Sequence, residues 1–119
     1  MNLSNIVQRG WEAVGKGDFD NLVADYIDDM KFIMPGQADV LEGRKAFREA
    51  LNGLGQILPP GFEIKELRQI EGVNEVVSIV KWKSEKVSDS QLAVLFRFEG
   101  EKVYEERWFI DTEQWKAAF

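Results

Sequence analysis

The chain opens on a helical period. Leu3, Val7, Trp11 and Val14 recur at i, i+4, i+8 and i+11, and Ile6, Gly10 and Ala13 widen the same face. That spacing predicts an amphipathic helix over residues 3–15. Gly15 and Gly17 stop it, and Asp18 stands where a second helix needs an N-cap. The second helix carries Phe19, Leu22, Val23 and Tyr26 and is expected to end at the acidic pair Asp28-Asp29. A short strand over residues 30–34 follows and breaks at Pro35-Gly36. Phe47, Ala50, Leu51 and Leu54 then share one face of a third helix, from Gly43 to about Leu54. Gly53 and Gly55 end it, and Pro59-Pro60 forbids its continuation.

Beyond that point the pattern favours strands. Runs at about 62–70, 75–83, 91–99 and 102–110 are separated by the turn signals EGVN, SEKVSDS and EGEK. Leu92, Val94, Phe96 and Phe98 share one strand face, which should look toward the helices. Asp111 with Gln114 suits the start of a short terminal helix carrying Trp115 and Phe119. Helices first and a strand meander afterwards predict an α+β fold, with helices on one face of a mostly antiparallel sheet. The last strand is apolar on both sides: Tyr104, Trp108 and Ile110 on one, Val103 and Phe109 on the other. A sheet greasy on both faces needs a second cover, so a homodimer packed sheet to sheet is expected.

Composition narrows the chemistry. The 119 residues fit one domain over 1–119, and 45% hydrophobic content supplies a core. Four Trp and eight Phe are many for this length, and such rings both fill cores and line apolar pockets. A net charge of −6 with scattered basic residues argues against nucleic-acid binding. There is no Cys, which excludes disulfides, thiol catalysis and zinc–thiolate sites. There is no His, which excludes His triads, His bases and His-ligated metals. Acid–base work falls to Asp, Glu, Tyr, Lys or water. No metal or cofactor is expected. The start MNLSNIVQRGWEAV lacks a signal-peptide pattern, and no apolar run approaches membrane length, so a cytoplasmic protein without membrane association is expected.

The order of these landmarks carries a resemblance. VQRGWEAVGKGDFDNLVADYIDDMKFIMPG, followed by EGRKAFREAL, resembles the amino half of the SnoaL-like and ketosteroid-isomerase-like proteins of the nuclear transport factor 2-like superfamily. The landmarks are Gly17-Asp18, Asp28-Asp29, the strand ending at Pro35, and Gly43-Arg44 opening the third helix. The end, EGEKVYEERWFIDTEQWKAAF, is similar to the SnoaL-like closing strand. The resemblance implies a cystatin-like cone: a curved sheet wrapped by three N-terminal helices around an internal pocket. Ketosteroid isomerases use an Asp base, together with a Tyr and a protonated Asp that hold the enolate oxygen. Ungapped matching puts those positions on Met34, Gly10 and, near enough, Val94. All three polar groups are replaced, so the isomerase mechanism does not carry over.

The same resemblance puts Tyr104, Glu106, Trp108 and Ile110 on the pocket face. A carboxylate among rings has its pKa raised, as a general base or acid requires. Glu106 is therefore one catalytic candidate, unless a bulge flips its parity and solvates it. Asp39 is the other, as a base swinging over the pocket mouth or as a solvated loop acid. Asp111 matches a recurrent SnoaL-like acid and equally suits a helix N-cap. The expected pocket set is Gly10, Trp11, Tyr26, Phe32, Met34, Trp82, Val94, Phe96, Tyr104 and Trp108. Its rings serve as core residues too. Arg44 is expected in an ion pair at the surface or in the dimer. The expected function is binding of a small, largely apolar molecule, with lyase, isomerase or cyclase chemistry by Glu106 or Asp39. The other reading is a non-catalytic ligand-binding or dimerisation module.

Overall fold

The computed structural model describes residues 2–34, 40–54 and 58–119. Helix α1 spans Leu3–Lys16, α2 Phe19–Val23 and α3 Arg44–Leu51. The strands are β1 Tyr26–Ile33, β2 Leu41–Glu42, β3 Glu63–Gly72, β4 Glu75–Lys83, β5 Ser90–Glu99 and β6 Lys102–Phe109, and α4, Thr112–Ala117, closes the chain. The six strands form one open sheet in the order β2-β1-β6-β5-β4-β3. Among the described residues, only β1 and β6 pair in parallel; every other neighbouring pair is antiparallel. The architecture is the α+β arrangement expected, with the N-terminal helices against one face.

Local chemistry sets the helix ends. The Asn2 side chain accepts the Ser4 N–H at 2.8 Å and caps α1. Gly17 ends α1 at φ 71°, where its N–H reaches the carbonyls of Ala13 and Val14. This left-handed cap suits a residue without Cβ. Asp111 caps α4 by accepting the N–H groups of Glu113 and Gln114 at 3.0 and 3.1 Å. Asp18 does not cap α2; its carboxylate takes the Asn21 amide at 2.6 Å instead.

Helix α3 stops at Leu51, short of the expected end near Leu54, and two further boundaries differ from the periodic reading. Helix α2 stops at Val23, and Tyr26, Asp28 and Asp29 lie in β1. Phe19, Leu22, Val23 and Tyr26 fit a helical period, but parallel pairing with β6 claims the backbone from Tyr26 onward. Tertiary pairing here outweighs local spacing. Strand β1 accordingly begins at Tyr26 rather than at residue 30.

The core lies between helices and sheet. Val76, Val80 and Trp82 of β4 and Leu92, Val94, Phe96 and Phe98 of β5 are buried, alternating with more exposed neighbours. Ile6, Val7 and Ala13 of α1, with Phe47 and Leu51 of α3, cover them. Trp115 of α4 brings its ring against Phe62, Trp82, Trp108 and Phe119, with centroids 5.4–6.3 Å apart. No helix among the described residues is long and apolar enough to cross a membrane.

Candidate functional site

A cavity of about 390 Å³ lies between the helices and the face of the sheet that they cover. Gly10 and Trp11 of α1, Tyr26 and Phe32 of β1, Met34 just beyond it, Phe47 of α3, Phe96 of β5 and Trp108 of β6 all line it. Ile6, Val7, Leu22, Leu41, Leu54 and Leu58 add aliphatic wall. The charged side chains on the wall, among the described residues, are Asp25 and Glu106. Asp25 is tied to Arg9, whose Nη2 and Nε lie 2.8 and 3.1 Å from its oxygens.

Glu106 is the exceptional member. It is 6% exposed, in the middle of β6. Its register neighbours are Phe96 on β5 and Phe32 on β1, neither of which can pair with a charge. Two donors hold it. The Tyr26 hydroxyl donates to Oε1 in a short hydrogen bond, and Trp108 Nε1 donates to Oε2 at 2.8 Å. Burial pushes the Glu106 carboxyl above its ordinary value of 4.5, and the bonds from Trp108 and Tyr26 pull against that rise. Burial, reinforced by the neighbouring Glu106 charge, drives Tyr26 well above its ordinary value of 10.0. The phenol therefore stays protonated and donates.

A bulge explains how Glu106 comes to face inward. Opposite β5, Phe98 pairs with Val103 but Arg97 pairs with Glu105, so β6 carries one extra residue there. Val103 and Glu106 both face inward, three positions apart, and both line the cavity. Tyr104 is turned out and stands 39% exposed, contrary to its expected place in the pocket. The irregularity falls before Glu106, so it exchanges Tyr104 for Val103 and leaves Glu106, Trp108 and the inward parity after them intact.

Two more expected lining residues sit elsewhere. Trp82 is buried against Phe62 and Trp115, with centroids at 5.5 and 5.4 Å, and belongs to the core under α4. Val94 is wholly buried in register between Ser78 and Trp108. Trp11 covers that row: its Nε1 donates to Ser78 Oγ at 3.1 Å and its ring lies 6.1 Å from Trp108. Gly10 and Met34 do border the cavity. Asp39 lies outside the described residues. Asp111 caps a helix, and Arg44 pairs with Asp28 at 2.5 Å while donating to the Tyr26 carbonyl at 3.3 Å.

The sequence reading missed Phe47 and the pairing of Tyr26 with Glu106. Phe47 was visible as the first apolar position of α3's inner face. The pairing joins residues 80 positions apart, and no local pattern marks it.

The family model for the SnoaL-like domain matches residues 7–106. The chain belongs to the SnoaL-like family. No curated protein shows significant similarity to its sequence. Among solved structures, a protein of unknown function with a cystatin-like fold from Xanthomonas campestris is 18% identical. It superposes with a TM-score of 0.82, covering 99% of this chain and 97% of that one. An NTF2-like protein from Burkholderia xenovorans LB400 is 20% identical, with a TM-score of 0.80 over 98% and 95% of the two chains. A candidate polyketide cyclase from Xanthomonas campestris pv. campestris is 15% identical, with a TM-score of 0.75 over 98% and 96%. At these identities the likeness establishes the cone fold.

Proposed function

We propose that this SnoaL-like protein binds a small, largely apolar ligand in the cone cavity, with Glu106 as its polar contact. The observation that carries this reading is the buried carboxylate itself. A cavity whose wall is almost wholly aromatic and aliphatic holds one carboxylate fixed by Tyr26 and Trp108. An apolar cavity with a few convergent polar groups is the usual form of a small-molecule site. The test uses the neutral apolar dye N-phenyl-1-naphthylamine, whose fluorescence rises on transfer from water. The wild type takes up one dye per chain. Met34→Trp fills the hollow from the end of β1 and weakens uptake by about tenfold or more, since each lost apolar contact counts. Equal uptake by both proteins would place the ligand elsewhere.

A second reading adds proton transfer of the lyase, isomerase or cyclase kind. The raised Glu106 carboxyl favours it, because a base works best with a pKa moved toward the working pH. Tyr26 then serves as the donor that steadies the carboxylate between proton uptake and release. The check is exchange of the α-protons of a bound apolar ketone with deuterated water, followed by NMR. Glu106→Gln should slow protein-dependent exchange by about 10²–10⁴-fold, the usual weight of a positioned base. Unchanged exchange would leave Glu106 with a binding role alone.

A further inference from the structure

The cavity wall has a charge problem that its own side chains leave unsolved. Among the described residues that line it, the carboxylate of Asp25 is engaged by Arg9. Among the described residues, Glu106 has hydrogen-bond donors but no cation. Phe96 and Phe32 flank it in the sheet, and Trp11, Tyr26 and Phe47 stand on the wall around it. A buried carboxylate is expensive to keep ionised unless something positive meets it. Each Glu106 oxygen accepts one bond here, and a carboxylate offers about four lone-pair sites, so acceptor capacity remains.

The rings make a second, independent argument. Trp11 lies 6.1 Å from Trp108 and 6.3 Å from Phe96. Phe32 lies 6.4 Å from Trp108 and 5.4 Å from Phe47, which in turn lies 5.1 Å from Tyr26. The six rings form a connected wall around the carboxylate. Ring faces attract cations, most strongly where water is excluded, and Trp is the best of them. The overall charge of −6 acts in the same direction at long range. An anionic ligand would meet a carboxylate, ring faces and no positive group on the described wall.

We infer that the ligand class of this cavity is a hydrophobic amine bound as its ammonium, with the N–H donors on Glu106, the charge against the rings and the hydrocarbon body along the aliphatic wall. This rests on the cavity being a ligand site at all, and it goes further by naming the charge of the ligand. Neutral analogues bind more weakly, and carboxylates are rejected.

Three probes of one shape separate the possibilities: 2-phenylethylamine, 2-phenylethanol and phenylacetate. Each is titrated into the wild type at pH 7 by calorimetry, with tryptophan fluorescence as a second signal. The amine should bind at least about tenfold tighter than the alcohol, as a desolvated cation–π and charge contact implies, and phenylacetate weakest of all. Glu106→Gln should remove the amine's advantage of about tenfold and bring it down to the alcohol's affinity measured on the same variant. Near-UV circular dichroism confirms that the variant is folded, and the comparison of the three probes on wild type needs no variant. An alcohol that binds as tightly as the amine, or an amine indifferent to Glu106→Gln, overturns the inference and leaves the apolar site standing. Failure of both amine and alcohol to bind overturns the site together with the inference.

Discussion

The Tyr26 hydroxyl donates to the Glu106 carboxylate from the neighbouring parallel strand, and both side chains are buried. Tyr26→Phe removes the donor and keeps the ring. Glu106 then holds only the Trp108 bond, and burial acts on it less opposed. An unpaired buried acceptor costs about 1–3 kcal/mol, so urea unfolding at pH 7 should show a loss of that order. The loss should shrink at acid pH, where Glu106 is protonated and needs the donor less. A loss that is equal at both pH values would mean that the hydroxyl contributes only through packing.

The raised carboxyl of Glu106 fixes the sign of its pH dependence. The folded state holds the proton more tightly than the unfolded chain. Stability from this group is therefore full below the unfolded pKa and falls as pH rises through the folded one. Above that window the penalty persists. Glu106→Gln removes the titration. Its amide oxygen can accept from Trp108 and its amide N–H can donate to the Tyr26 oxygen, so the bonds are remade. The variant should be no less stable than wild type at pH 7, and its advantage should disappear at low pH. Denaturant midpoints taken across the acid range test this; a variant weaker than wild type at every pH contradicts it.

On the face of the sheet away from the helices, Phe109 is 51% exposed, Ile70 47% and Tyr104 39%, with Leu95, Val77 and Ile79 half-buried between them. We expect a second copy to cover this band, as the doubly apolar last strand suggested. Sedimentation at micromolar concentration should report a dimer. Phe109→Arg should shift it to monomer while leaving dye uptake in the cavity intact. A monomeric wild type would mean that the face stays in water.

Trp115 tests which rings are core and which are site. Its contacts with Phe62, Trp82 and Trp108 stabilise the end of the sheet under α4. Trp115→Ala should cost about 3–5 kcal/mol, the usual range for a buried ring. Trp11→Phe, on the cavity wall, should cost less stability and change ligand affinity more. The expected order is read from parallel melts and dye titrations.

Much of this was legible beforehand. The 3.6-residue spacing of Leu3, Val7, Trp11 and Val14 marked α1, and alternation marked Leu92, Val94, Phe96 and Phe98 as the inner face of β5. The resemblance put Glu106 on the pocket face, and the structure keeps it there because the bulge falls before it and parity then runs through Trp108. Tyr104 could not be placed, because nothing in KVYEER announces the extra residue that turns it out. Tyr26 was hidden for another reason. Its spacing fits α2, and only pairing with a strand some 80 positions later moves it into the sheet beside Glu106. Trp82 and Val94 share the inward face with true wall residues, and alternation cannot tell a ring under α4 from one beside a hollow. Gly10 showed as an apolar position, but a Cβ there would meet Leu22 Cδ1 at 3.2 Å. A large residue at position 10 would therefore displace Leu22 as well as fill the cavity, which makes Met34→Trp the cleaner probe.

The most direct measurement is a ¹³C NMR titration of the Glu106 side-chain carboxyl, repeated with 2-phenylethylamine bound. The account predicts a folded pKa above 4.5 in the free protein, and a clear fall when the ammonium enters. A carboxyl that titrates at or below 4.5 and does not respond to the amine would show Glu106 to be solvated or already paired, and would remove it from the site.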